Sequence, residues 1–101
     1  MVSPSVSPED RLVQRSDVET RPYDKGAMLV DMGSGQCYRL NRVGADVWAL
    51  LKQPVALADV IATLGGRYGI SRATLEQDVR ALVEHLLAQT LVRAMPPDAS
   101  P

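Results

Sequence analysis

A glycine-rich turn between two strand-length runs is the feature that most constrains how this chain can fold. The run AMLVDM at residues 27–32 is apolar, Gly-Ser-Gly follows at 33–35, and QCYRLN at 36–41 alternates in polarity. Glycine adopts at little cost the positive φ angles that tight hairpin turns need. Because side chains alternate along a strand, Tyr38 and Leu40 are expected on one face, and Cys37 and Arg39 on the other. The sequence therefore predicts a β-hairpin over 27–41.

Helical periodicity dominates the chain after this hairpin. Asn41 is suited to cap a first helix, which is predicted to end before Pro54. A second helix is predicted from about residue 57 to the Gly-Gly pair at 65–66, and Ser71 is predicted to cap a third, running to about 89. Apolar residues recur along the third helix at helical spacing: Leu75, Val79, Leu82 and Leu86, with Val83 and Leu87 beside them.

The segment before the hairpin predicts one more strand. A weak alternation runs over 13–23 and stops at the turn-like Asp-Lys-Gly of 24–26. Residues 1–10 and 95–101 are rich in Ser and Pro and are predicted to be flexible, which leaves a folded domain over 11–94. Strands followed by three helices predict an α+β domain with a small sheet.

Composition argues against most kinds of chemistry. The chain has 101 residues, 11 Lys plus Arg against 12 acids, a net charge of -1, one cysteine (Cys37) and one histidine (His85). A cysteine-based metal cluster or an intramolecular disulfide is therefore excluded, and no metal or cofactor is predicted. The Gly-rich segments lack the Lys-Ser/Thr of a phosphate-binding loop, and no catalytic constellation is recognisable, so an enzyme is not predicted. No signal peptide or membrane-length run is present, and a cytoplasmic location is expected.

Two kinds of binding module suit these elements. A sheet edge can accept an extended peptide as an added strand; the candidate edge is residues 36–41, with the third helix as the second wall of a groove. Three helices and a hairpin also match a winged-helix DNA-binding regulator. Against this alternative, the Arg residues of the last two helices are interspersed with acids and the net charge is not basic. An interaction domain cut from a larger enzyme is a further alternative.

The order of motifs resembles the PqqD family of leader-peptide-binding domains, also called RiPP recognition elements. The residues that carry the resemblance are Gly35, Tyr38, Leu40, Asn41, Gly44, Ala45 and Trp48, followed by Ile61, Leu64, the Tyr-Gly-Ile of 68–70 and Asp78-Val79. The resemblance covers about residues 11–93 and implies an α+β fold: a small three-stranded antiparallel sheet followed by three helices, similar to a winged helix-turn-helix. The chain departs from the family pattern in two places. After the first helix, QPVAL replaces the usual Asp-Gly and Thr-like cap, and Thr90 stands where a Gly is usual.

The resemblance implies a non-catalytic protein that binds the leader segment of a ribosomally made precursor peptide as a strand added beside the hairpin's second strand and against the last helix. It would then present the precursor to a modifying enzyme such as a leader protease, a cyclase or a radical-SAM enzyme. DMGSG stands where the pyrroloquinoline-quinone member has Tyr-Pro-Glu-Gly, so a lasso peptide or another modified peptide is favoured. The peptide-binding residues predicted on this basis are Gln36, Cys37, Tyr38, Arg39, Leu40, Leu75, Glu76, Val79, Arg80 and Val83.

Overall fold

Residues 8–95 are described in the computed structural model, and they form six strands and three helices. The elements follow the chain as β1 (Arg11–Gln14), β2 (Val18–Tyr23), β3 (Gly26–Asp31), β4 (Cys37–Leu40), α1 (Arg42–Leu50), β5 (Val55–Ala56), α2 (Leu57–Arg67), α3 (Arg72–Ala88) and β6 (Val92–Met95). The predicted α+β class and the three helices are confirmed. The strands are more numerous than predicted, and two of them come after α1.

Strands β2, β3 and β4 form one antiparallel sheet with β3 in the middle. The predicted hairpin is β3–β4, and Gly35 in its turn has the positive φ (79°) for which glycine is suited. A two-residue turn joins β2 to β3, with Asp24 at φ 53°. Because β3 is the only strand with two neighbours here, β2 and β4 are the edges of this sheet.

A second antiparallel sheet, in the order β5-β1-β6, was not predicted from the sequence. The single strand expected over 13–23 is divided: β1 pairs with β5 and β6, whereas β2 pairs with β3. Met95, predicted to begin a flexible tail, pairs with Arg11 across β6 and β1. Strands of two to four residues with partners far along the chain leave little local pattern, which explains why this sheet was missed.

Residues 8–10, just before the start of the predicted domain, contact the first residues of α2. The carbonyl of Pro8 accepts a hydrogen bond from the N–H of Ala58 at 3.0 Å, and the carbonyl of Asp10 accepts one from Leu57 at 3.1 Å. Residues 8–10 therefore satisfy the first amide groups of α2, where the N-cap residue makes no side-chain bond. The remaining parts of the two predicted arms, 1–7 and 96–101, lie outside the described residues.

The predicted helix caps at Asn41 and Ser71 are confirmed. The Oδ1 of Asn41 accepts the N–H of Gly44 at 2.8 Å, and the Oγ of Ser71 accepts the N–H of Thr74 at 3.2 Å. Helix α2 continues through the two glycines predicted to end it and stops at Arg67. Helix α1 already ends at Leu50, before Pro54.

One apolar core joins both sheets to the three helices. Its largest fully buried side chain is Trp48 on α1, packed with leucines from β1, β3 and the helices. The indole N–H of Trp48 donates to the hydroxyl of Thr20 at 2.7 Å, which fixes β2 to α1 and satisfies a donor that burial would otherwise penalise.

Candidate functional site

Strand β4 offers an unpaired edge. Within the described residues it pairs with β3 on one side and with no strand on the other. The main-chain amide and carbonyl groups on such an edge are available to an added strand. The question is then which residues of β4 present them.

The strand register identifies the outward-facing groups. The N–H of Asp31 donates to the carbonyl of Gln36 at 2.9 Å, so this pair is hydrogen-bonded. Hydrogen-bonded and non-hydrogen-bonded pairs alternate in antiparallel sheets, and the β3–β4 register is continuous from Val30–Cys37 onward. The main-chain groups of Tyr38 therefore face β3, and those of Cys37 and Arg39 face away. Cys37 and Arg39 supply the donors and acceptors of the free edge.

The opposite edge of the sheet, on β2, is interrupted. The N–H of Met32 donates to the carbonyl of Asp17 at 3.0 Å, which marks this pair as hydrogen-bonded. Counting along the register, the nitrogen of Pro22 faces outward from β2. Proline has no N–H to donate, so the β2 edge lacks a donor at this position, next to the β2–β3 turn.

The two faces of β4 differ as the alternation predicted. Leu40 is buried and Tyr38 is half-buried on the core side, whereas Cys37 and Arg39 are exposed on the outer side. The hydroxyl of Tyr38 lies 2.7 Å from the Oε1 of Gln36 and 3.3 Å from the Oε1 of Gln89. Tyr38 therefore connects β4 to the residue that caps the end of α3.

A groove lies between the start of α1 and the middle of α3. It has a volume of about 340 Å³, and a mixed set of apolar and polar side chains lines it: Asn41, Val43, Gly44, Ile70, Asp78, Val79 and Leu82. Ile70 is 44 % exposed, which is high for a large apolar residue. Since Asn41 directly follows β4, the groove begins where the free edge ends.

The residues predicted on α3 separate into three groups. Leu75 and Val83 are fully buried in the core, so their side chains are not accessible from the surface. Val79 is also buried, yet it forms part of the groove wall. Glu76 and Arg80 are half-buried and are not among the groove residues.

Other residues of α3 and its C-cap, which were not predicted as peptide contacts, line the groove or contact β4. Asp78 and Leu82 line the groove, and Gln89 contacts Tyr38. Their spacing of four and seven residues places them on one flank of the helix. The helical period could have identified this flank, but it contains no information about which flank faces β4.

A charged cluster holds the start of the β4 region in place. Asp31 is 5 % exposed; its carboxylate accepts the N–H of Gly33 at 2.9 Å and a nitrogen of Arg15 at 3.2 Å. The Gly33 amide is the main cause that lowers the pKa of Asp31, and the Arg15 guanidinium is the main cause that lowers the pKa of Asp17. Arg15 also donates to the carbonyl of Thr90 at 3.0 Å, so the cluster joins the β3–β4 turn to the end of α3.

A second polar contact positions the connector beside the groove. The hydroxyl of Tyr68, just before α3, donates to the carboxylate of Asp46 on α1. This hydrogen bond is the main cause that raises the pKa of the Tyr68 hydroxyl above its ordinary value, because the bond favours the protonated form. The contact ties the α2–α3 connector, which includes Ile70, to α1.

Among residues 8–95, no group of three or more His, Cys, Asp or Glu side chains is placed to hold a metal ion. Cys37 is a free, exposed thiol, and His85 is exposed on α3. In the same part of the chain, no helix has the length and apolar character needed to cross a membrane.

Comparison with protein families identifies the chain. Residues 26–92 match the family described as coenzyme PQQ synthesis protein D, PqqD. The match covers more than half of the sequence and includes β3, β4, all three helices and the first residue of β6. The chain belongs to the PqqD family. No curated protein matches the sequence.

Solved structures share the fold. The PqqD truncation of Methylobacterium extorquens PqqCD, a stand-alone RiPP recognition element, has a TM-score of 0.76 against this chain at 17 % identity. The match covers 92 % of this chain and 99 % of that one. Lasso peptide synthetase B1, complexed with the leader peptide, has a TM-score of 0.67 at 29 % identity and covers 84 % and 98 %. TbiB1, in complex with the TbiA(beta) leader peptide, has 0.71 at 22 %, covering 80 % and 94 %.

Proposed function

We propose that this protein binds the leader segment of a ribosomally made precursor peptide as an antiparallel strand beside β4, in lasso peptide biosynthesis or a related modification pathway. The observation that carries the proposal is the unpaired β4 edge, which leads into a partly apolar groove against α3. Two structures of similar fold hold a leader peptide, one of them at 29 % identity.

The contacts available to such a peptide follow from the strand register. The main-chain groups of Cys37 and Arg39 form the ladder with the added strand. Alternate peptide side chains lie on the core side, where Tyr38 and the α3 flank of Leu82 and Gln89 are the neighbours. An apolar peptide side chain that extends past Asn41 enters the groove.

The same proposal replaces part of the predicted contact set. Leu75 and Val83 act through the core, since neither is accessible, and Asp78 and Leu82 take their place as groove contacts. The proposed role is recognition without catalysis. The bound precursor is delivered to a modifying enzyme, and no cofactor takes part in recognition.

The direct test is fluorescence polarisation with a labelled synthetic peptide that carries the leader encoded beside this protein's gene. A flexible peptide loses entropy when it becomes a strand, so we expect a Kd between micromolar and nanomolar. A labelled random DNA duplex is titrated in parallel, and both titrations are repeated at several salt concentrations. Peptide binding without DNA binding supports the proposal. If the DNA binds with a steep dependence on salt and the peptide does not bind, the result supports the winged-helix regulator instead.

A matched pair of variants separates strand addition from other modes of binding. Cys37→Pro removes one outward-facing N–H, and Cys37→Ala removes the thiol but keeps that N–H. We expect Cys37→Pro to weaken peptide binding about tenfold or more, and Cys37→Ala to bind as the natural protein does. Circular dichroism establishes that both variants are folded. Equal affinities for the two folded variants would contradict strand addition.

A further inference from the structure

A second cleft lies on the outer side of the same sheet, beside the end of β4. It has a volume of about 420 Å³, and the β2–β3 turn and the β4–α1 junction form its walls. The lining residues are Tyr23, Asp24, Lys25, Gly26, Arg39, Leu40, Asn41 and Arg42. Three of them are cations and one is an acid, so the cleft carries an excess of two positive charges.

None of the three cations of this cleft forms an ion pair with another described residue. Within residues 8–95, the ion pairs join Arg15 to Asp17 and Asp31, and Arg21 to Glu19. Lys25, Arg39 and Arg42 take part in none of these pairs. Asp24 is the one acid that lines the cleft, so three cations leave an excess of positive charge that attracts an anionic ligand.

Arg39 is held in an orientation that leaves most of its donors free. Its guanidinium donates one hydrogen bond to the hydroxyl of Tyr23 at 3.1 Å and lies 5.3 Å from the centre of that ring. This cation–π contact and the single hydrogen bond hold the planar group against the side chain of Tyr23. A preorganised guanidinium binds a carboxylate with less loss of side-chain entropy than a free one.

Arg42 lies at a position where a positive charge is unfavourable for the stability of the helix. It is the first residue of α1, where the helix dipole favours acids, and α1 has no acidic residue in its first turn. A cation there adds to the positive potential of the helix start. Its position beside Lys25 and Arg39 is consistent with a role in attracting anions.

We propose that this cleft binds a carboxylate side chain of the peptide strand added to β4, so that the protein selects leaders with an acidic residue opposite Arg39. This inference rests on the proposed function, because it places the acid by strand register. The main-chain groups of Arg39 lie on the free edge of β4, and its exposed side chain lies on the outer face of the sheet. The peptide residue directly opposite then has its side chain on the same face as the side chain of Arg39. The peptide residue two positions earlier faces Asn41 and lies nearest to Lys25 and Arg42.

The test uses two synthetic peptides that differ only in charge. Acetyl-Thr-Val-Glu-Val-Glu-Val-Thr-amide places two acids on one strand face, and its partner has Gln in place of both Glu. Each is titrated into ¹⁵N-labelled protein at low salt, and the amide shifts of residues 23–26 and 37–42 are followed. We expect the Glu peptide to bind about five- to tenfold more tightly than the Gln peptide. The preference is expected to shrink as salt is added.

Two variants decide where the preference originates. Arg39→Gln is expected to reduce the Glu-over-Gln ratio to within about twofold. Arg21→Gln is the matched control: Arg21 lies on the same sheet, is already paired with Glu19, and does not line the cleft. It is expected to leave the ratio unchanged.

Each outcome has a distinct meaning. Equal shifts along β4 with both peptides would overturn acid selection and leave strand addition standing. Shifts with neither peptide would also overturn acid selection, whatever the natural leader does. Selective shifts with the Glu peptide, together with a natural leader that does not bind, would support the cleft and contradict the proposed function. A preference that Arg39→Gln leaves intact would also count against this cleft.

Discussion

The two edges of the β2-β3-β4 sheet differ in what they offer a partner. On β2, Pro22 removes a donor from the outer side, and Trp48 holds the strand to the core through Thr20. On β4, Cys37 and Arg39 present complete main-chain groups, and α3 stands beside them. The difference teaches that an edge is made available or unavailable by single residues at outward-facing positions. Four predictions test this contrast between a closed edge and an open one.

The largest effect is expected from a proline at an inward-facing position of the open edge. In Tyr38→Pro the N–H that faces β3 is lost and the carbonyl of Leu29 loses its donor. With the loss of the ring from the core side, we expect the free energy of unfolding to fall by about 2–4 kcal/mol. Urea denaturation measures the loss. Cys37→Pro, one residue away and outward-facing, is expected to lose much less; equal losses would show that the assignment of inward and outward groups is wrong.

Gly26 tests how closely β3 and β4 approach each other. A Cβ added there would lie 1.8 Å from the carbonyl oxygen of Leu40, which belongs to the main chain and has little freedom to move. We expect Gly26→Ala to destabilise the protein by about 2–3 kcal/mol and to weaken peptide binding at β4. At Gly66, in α2, an added Cβ meets nothing within 4 Å. Gly66→Ala is therefore the control, with an expected gain of about 0.5–1 kcal/mol in thermal or urea unfolding.

The hydrogen bond between Trp48 and Thr20 tests how the closed edge is held. Thr20→Val keeps the shape of the side chain but removes the acceptor of the indole N–H. We expect a loss of about 1–2 kcal/mol in unfolding free energy and no change in peptide affinity, because the change lies on β2. Thr20→Ser keeps the hydroxyl and is expected to lose less. A drop in peptide affinity with Thr20→Val at unchanged β4 structure would contradict the separation of the two edges.

The smallest effect is expected from acid, through the cluster at the β3–β4 turn. The pKa of Asp31 is lower in the folded protein than its ordinary value, so its contribution to stability is present above that ordinary value and is lost as the pH falls through the folded pKa. We expect the urea midpoint of the natural protein to decrease from about pH 4.5 downward. Asp31→Asn removes this titration, and its midpoint is expected to decrease less over the same interval. If the urea midpoints of the natural protein and Asp31→Asn fall equally with pH, the loss of stability in acid does not come from Asp31.

Local pattern was sufficient for the hairpin, the three helices and both helix caps. The alternation around Tyr38 gave the correct faces of β4, because successive side chains of any strand point to opposite faces of the sheet. The second sheet could not be obtained in this way, since the pairing of Arg11 with Met95 joins residues at opposite ends of the described chain. Nor could the helical period of α3 separate Leu82, beside the groove, from Val83, in the core. Adjacent positions of a broad apolar stripe are assigned by tertiary packing, which the sequence pattern does not contain.

The pairing of β1 with β6 has a mechanical consequence. Arg11 and Met95 are opposite one another, and the register continues inward through Gln14 and Val92. A pulling force applied across residues 11 and 95 would act at right angles to the two strands and load their paired residues in sequence, as when a zip is opened. An optical-tweezers experiment with handles at these two positions would open this pair from its outer end inward, while the β3–β4 hairpin bears no direct load until Gln14 has been released.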